Sequence, residues 1–218
     1  MKKKFVVLMT CALIGASVLS GCGGNSVETE APENPAAETI VVEDGSLPPL
    51  DEDLQELYAG AYKIYNQISF GNFDYDEETT MEKDGIKYYQ ITDSRFKTYD
   101  EFQKFLEQYF TKDFVTNCIL SESNIMFAKG EDGGLYFLGG GRGMNIFYAG
   151  HTFQLDNEAE NEINFTATAY YTNSNEAYDG EYFYTAPETP DDYTTQEFHF
   201  ILLKEDGQWK FDDFALFF

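Results

Sequence analysis

The hydrophobic period of this 218-residue chain changes once, near Asn124, and the change fixes which layers the fold can contain. Before it, apolar residues recur at spacings of three and four. Pro48 and Pro49 precede Asp51, a candidate N-cap, and Leu54, Leu57, Tyr58, Ala61, Ile64, Tyr65 and Ile68 then form one stripe, which predicts an amphipathic helix. A strand over Ile86 to Thr92 follows the turn signal Asp84-Gly85. Thr98-Tyr99-Asp100-Glu101 fits a capping box for a second helix carrying Phe102, Phe105, Leu106, Tyr109 and Phe110, and Thr111 restarts the pattern for a short third helix to about Leu120.

From Asn124 onward the period is two and turn signals become frequent. Strands are predicted over Ile125 to Lys129, Leu135 to Leu138, Asn145 to Leu155, Ile163 to Thr172, Tyr182 to Thr185, Thr194 to Glu205 and Gln208 to Phe217. Asp206-Gly207 marks the tightest hairpin. Phe165, Ala167, Ala169 and Tyr171 share one face, as do Phe198, Phe200 and Leu202, whereas the parity of Trp209 and Phe211 is lost by Phe214, Leu216 and Phe218. That parity change predicts a bulge or bend at Asp212-Asp213. Helices first and a meandering sheet afterwards predict an α+β fold, its N-terminal helices packed on one face of a curved, mainly antiparallel sheet. Small residues such as Ala167 and Ala169 on a concave face would admit a helix, an arrangement similar to the cone-like sheets of cystatin-like and NTF2-like domains.

The N-terminal region follows different rules. Lys2, Lys3 and Lys4 precede an apolar run from Phe5 to Leu19, and Leu19-Ser20-Gly21-Cys22 has the pattern of a lipobox. Residues 1–21 are therefore expected to be a lipoprotein export signal, with Cys22 carrying lipid and holding the chain extracytoplasmically on the cell membrane, in an envelope compatible with a Gram-positive organism. Residues 22–50 hold six acidic residues and no Lys or Arg, the composition of a disordered tether, which as a flexible coil would reach roughly 30 Å. A single domain over 51–218 remains. After signal removal 11 basic residues would stand against 39 acidic ones, a net charge of −28, which disfavours nucleic acid and anionic polymers and favours a basic protein.

Catalytic or metal-binding spacings are scarce. Of the two histidines, His199 lies between Phe198 and Phe200 on the opposite strand face, and His151 follows Gly150 where a strand would bend; neither belongs to a metal-ligand motif. Once Cys11 leaves with the signal and Cys22 takes lipid, Cys118 has no disulfide partner, and its setting among Phe114, Val115 and Ile119 predicts a small buried hydrophobe. Asp156, Glu158 and Glu160 alternate without the glycine and terminal acid of a calcium loop. No metal or cofactor is expected. A carboxylate-based hydrolase has no support beyond the abundance of acids. Two features stand out: Gly139-Gly140-Gly141-Arg142-Gly143, which sets one of only two arginines in a glycine loop, and Arg95 in Asp93-Ser94-Arg95-Phe96-Lys97. Gly141, Arg142, Gly143 and Arg95 are the candidate partner-binding residues; a buried ion pair or a carbonyl cap is the structural reading of each arginine.

The segment Tyr89 to Phe110, YQITDSRFKTYDEFQKFLEQYF, followed by Gly134-Leu135-Tyr136 and Gly141-Arg142-Gly143, resembles the D,L-endopeptidase inhibitor (IseA-type) family of Gram-positive bacteria, and the terminal DGQWKFDDF is similar to the closing hairpin of such envelope domains. The resemblance implies a non-enzymatic protein that binds secreted peptidoglycan hydrolases of the papain-like Cys-His type and blocks their substrate groove. Read from its residues alone, a sheet rich in Tyr and Phe suits an alternative, an extracytoplasmic small-ligand-binding module with an aromatic pocket.

Overall fold

The computed structural model describes residues 45–140 and 143–217. The export signal at 1–21, Cys22, the tether as far as Asp44, Gly141, Arg142 and the terminal Phe218 lie outside the described residues. Helix α1 spans Glu52–Phe70; Asp51 caps it by accepting from the Leu54 amide, and Gly71, at a left-handed φ of 64°, closes it. Its buried face is Leu54, Tyr58, Ala61, Ile64 and Ile68, the stripe read from spacing. Helix α2, Tyr99–Leu106, starts in a reciprocal capping box between Thr98 and Glu101 and buries Phe102 and Leu106. A single turn, α3, Lys112–Phe114, is capped by the Thr111 side chain. Among the described residues no helix is long and apolar enough to cross a membrane.

The strands are β1 (Tyr75–Lys83), β2 (Ile86–Ile91), β3 (Phe127–Lys129), β4 (Leu135–Phe137), β5 (Tyr148–Glu158), β6 (Glu162–Thr172), β7 (Tyr193–Glu205) and β8 (Gln208–Asp213). The fold is α+β, as the change of period requires. The strands divide between two open antiparallel sheets, in the orders β1-β2-β4-β3 and β5-β6-β7-β8, where the sequence suggested one. The division falls after β4, where Gly139 and Gly140 take consecutive left-handed φ values of 77° and 73° and lead the chain away from the first sheet.

Each sheet is covered by a helix. Over the second sheet, Tyr58 of α1 meets Phe153, Phe165, Phe200, Phe211 and Phe214 at ring-centroid distances between 5.7 and 6.2 Å. Phe165 and Phe200 are directly paired across β6 and β7 and stack at 4.7 Å. Ala167 and Ala169 beside them have no exposed surface, so the helix approaches over small residues. Over the first sheet, Phe102 of α2 packs on Phe127 at 5.0 Å and on Phe96 at 4.7 Å, with Phe73 at the seam.

Four local outcomes differ from the sequence reading or sharpen it. Strand β1 was not expected: Tyr75-Asp76-Glu77-Glu78-Thr79-Thr80-Met81-Glu82-Lys83 is acidic and mostly exposed, and its hydrogen bonds come from β2 across the Asp84-Gly85 turn. The expected strand at Tyr182 to Thr185 is instead a strap; the Phe183 amide donates to the Ala149 carbonyl and the His151 amide donates to the Phe183 carbonyl, on the open edge of β5. β8 stops at Asp213, and the expected bulge is present, since Leu202 pairs with Phe211 but Ile201 pairs with Asp213. Beyond it Phe214, Leu216 and Phe217 fold onto the core.

Cys118 requires a correction. It is exposed, not buried. After α3 the chain enters a π turn, Val115–Ile119, closed by the Leu120 amide donating to the Val115 carbonyl. The wider turn advances fewer degrees per residue, which keeps Val115 and Ile119 inward and swings Cys118 off the buried face.

The stacked pair at the centre should carry a large share of the stability. Phe200→Ala is expected to cost about 3–5 kcal/mol, the range for a buried aromatic truncated in a packed core. Urea unfolding checks this, and a loss below about 1 kcal/mol would show that the sheet closes over the gap.

Candidate functional site

The two arginine-bearing features behave differently. Arg95 turns back on Asp93: its Nε donates to Oδ1 at 3.0 Å and its Nη2 to Oδ2 at 2.6 Å, while Nη2 also donates to Gln67 Oε1 at the end of α1. The guanidinium lies over the Phe96 and Phe105 rings at 5.2 and 5.3 Å. The hydrogen bond to Arg95 holds the Asp93 carboxyl below its usual range. Arg95 thus ties α1 to the loop before α2, but through an ion pair at the surface and not the buried pair or carbonyl cap expected of it.

The glycine loop leaves β4 beneath Tyr89; a Cβ on Gly139 would stand 3.2 Å from that ring. Gly143 is exposed and has nothing near its Cβ direction, so no steric need for glycine exists there. No hydrogen bond, ion pair or ring contact among the described residues joins Arg95 to Gly143. The stretch after Gly143 is tied down by backbone bonds: Tyr178 donates to the Ile146 carbonyl and Thr172 to the Phe147 carbonyl. Met144 and Ile146 are nevertheless exposed, so two apolar side chains are held out to solvent on a fixed segment, and Tyr182 is exposed as well.

Behind these residues lies a cavity of about 390 Å³, walled by Tyr58, Tyr62, Tyr148, Tyr182, Tyr184 and Phe217, with Ser46, Met144 and His151 also on its lining. The concave face of the second sheet, where an aromatic pocket was expected, is filled by Phe165, Phe200 and Phe211; the aromatic space is at the end of the sheet instead. His151 is buried there. The Tyr148 hydroxyl and His151 Nδ1 share a hydrogen bond of 2.5 Å, and the ring packs against Phe217 at 4.7 Å and Tyr184 at 5.1 Å. Burial pushes the imidazole pKa down to about 4, opposed only by the Ser46 backbone, which would accept from the protonated ring. At neutral pH the ring is uncharged. Burial also raises the Tyr148 and Tyr62 phenols, which stay protonated.

The remaining candidates are accounted for. His199 is exposed on the outer face and shares a hydrogen bond of 2.9 Å with Thr166 Oγ1. The Cys118 thiol is pushed up by partial burial and then by the Asp213, Asp113 and Asp212 charges, which disfavours the thiolate a nucleophile needs. Among the described residues no group of three His, Cys, Asp or Glu side chains converges as a metal site would require.

Fold and surface together define an α+β domain that presents fixed apolar side chains and an aromatic cavity at one end of a curved antiparallel sheet. The family model described as IseA DL-endopeptidase inhibitor matches residues 50–215, and the chain belongs to that family. A comparison with curated proteins gives no match.

The buried histidine makes stability depend on pH. Its folded pKa of about 4 lies below the value of about 6.5 for an exposed histidine, so between those values the folded protein binds fewer protons than the unfolded chain. The contribution is whole above about pH 6.5 and is lost as pH falls toward 4, by about 2–3 kcal/mol. His151→Gln should flatten the stability profile across that window by this amount, as measured by urea unfolding at a series of pH values; equal slopes for both proteins would exclude His151 as the source.

Proposed function

We propose that this protein is a non-enzymatic inhibitor of peptidoglycan D,L-endopeptidases, held at the outer face of the cell membrane by lipid on Cys22. The observation that carries the reading is the family match over residues 50–215. Position and charge agree with it. A tethered domain meets wall hydrolases as they emerge from the membrane at a raised effective concentration. Residues 45–218 hold 11 basic and 33 acidic side chains, and a surface so charged draws in a basic hydrolase and repels anionic polymers.

The peptidase-facing surface in this proposal is the loop Gly139 to Gly143 together with Met144 and Ile146. Arg142, with Gly141 and Gly143 beside it, supplies a cation that reaches for a carboxylate or carbonyl of the partner, and glycine allows close backbone approach. Arg95, whose guanidinium is engaged by Asp93 and Gln67, fixes the end of α1 against the loop before α2 and has no part in this surface.

The purified protein should bind a D,L-endopeptidase from the same organism and slow its cleavage of wall peptides at near-stoichiometric concentrations. Arg142→Ala should weaken that binding about tenfold, roughly 1.5 kcal/mol for a hydrogen bond to a charged group. Failure to bind or slow any such enzyme ends the proposal. The anchor is tested separately: Cys22→Ser should move the protein from the membrane fraction to the soluble fraction, and unchanged membrane association would remove the lipid from the account.

A further inference from the structure

From Gly143 to Leu203 the chain runs through β5, β6, the long connection and most of β7 with eleven acidic residues and no Lys or Arg. This stretch supplies one side of the aromatic cavity, Met144, Tyr148, His151, Tyr182 and Tyr184, and α1 supplies Tyr58 and Tyr62 on another. That side of the surround is therefore acidic, and the described lining itself contains no carboxylate and no cation; Lys63, beside Tyr62, and Arg142, two residues before Met144, are the basic residues nearest to it along the chain. Its inner surface is made largely of rings. Tyr148 and Tyr182 are tilted at 54° with centroids 5.2 Å apart, and Tyr58 and Tyr62 stand 6.0 Å apart.

These properties select a ligand. An anion is opposed by the acidic surroundings and meets no cationic partner inside. A primary ammonium is strongly hydrated and would surrender that water without a carboxylate on the wall to replace it. A methylated ammonium is weakly hydrated, needs no hydrogen-bond acceptor, and is attracted by the negative faces of aromatic rings. The volume, about 390 Å³, is at the small end for ligand sites. We propose that the tyrosine-walled cavity beside β5 is a binding site for a quaternary alkylammonium group of choline size, held by aromatic faces within an acidic surround. The neutral imidazole of His151 and the protonated phenols keep the lining uncharged at neutral pH, so nothing inside repels the cation. The cavity shares Met144 with the surface proposed to face the peptidase, but the ligand is read from the cavity lining alone and stands or falls without that reading.

The test is titration of the full chain with choline chloride, against matched sodium chloride, followed by calorimetry and by the NMR shifts of tyrosine ring protons. The neutral isostere 3,3-dimethylbutan-1-ol and phosphocholine are the comparison probes. Saturable choline binding with a Kd of about 1 mM or tighter is expected, with the isostere and phosphocholine each weaker. Tyr182 lies at the exposed rim, so its substitution should spare the fold. Tyr182→Leu should weaken choline binding about three- to tenfold, whereas Tyr182→Phe, which keeps the ring face, should retain it. The proposal is overturned if choline does not bind, if the isostere or phosphocholine binds as tightly, if Tyr182→Phe loses as much as Tyr182→Leu, or if neither variant differs from the wild type.

Discussion

The packing of Tyr58 against the second sheet is the constraint from which most of the architecture follows. A ring on α1 that meets Phe153, Phe165, Phe200 and Phe211 requires those residues to share one face of four adjacent strands, and Phe214 beyond β8 closes over the same ring. It also requires small neighbours, which Ala167 and Ala169 supply, and a final segment that turns inward after β8, which the Asp212 bulge makes possible. The same bulge places Asp212 where its carboxylate accepts from the buried Thr111 hydroxyl at 2.6 Å, so the residue that caps α3 is fastened to the end of the sheet. Helix start, sheet edge and core closure are one linked set of contacts.

Charge is unevenly spread over this frame. The eleven basic side chains of residues 45–218 include Arg95, paired with Asp93, Lys112 with Asp206, Lys129 with Asp100 and Lys210 with Glu205. The exposed pairs among these add little to stability. Their effect is on the outward field, because they use up cations in the helices, the first sheet and the β7–β8 hairpin, while the edge strand β5 and its neighbour β6 keep their acids uncompensated. Such a surface attracts a basic partner more strongly at low ionic strength than at high.

Local chemistry made much of this readable in advance. Asp51, Thr98 and Thr111 announce helix starts because a capping oxygen acts within three residues of itself. The parity of Phe165, Ala167 and Ala169, and its loss at Asp212, are visible because strand faces alternate strictly. What stayed hidden depends on partners distant in sequence. β1 is a strand because β2 pairs with it, not through any apolar alternation of its own. Cys118 is turned outward by a change of helical pitch that its neighbours' hydrophobicity does not encode. Arg95 was legible as a candidate, but its engagement with Gln67, 28 residues earlier, was not. The aromatic cavity joins α1, the start of β5, the strap and the C-terminal segment, and no window of the sequence contains it.

The strap at Phe183 has a consequence for how this domain can recognise anything. It occupies the open edge of β5 at Gly150, and farther along the register of that strand slips between Leu155 and Asn157. At the opposite edge β8 is met by Phe110, β3 is only three residues long, and β1 is interrupted between Asp76 and Thr80 and lined with acids. Little regular backbone is left to accept an extended chain as an added strand. Among the described residues, then, the sheet edges offer a partner little main chain to pair with, and recognition falls to side chains and loops.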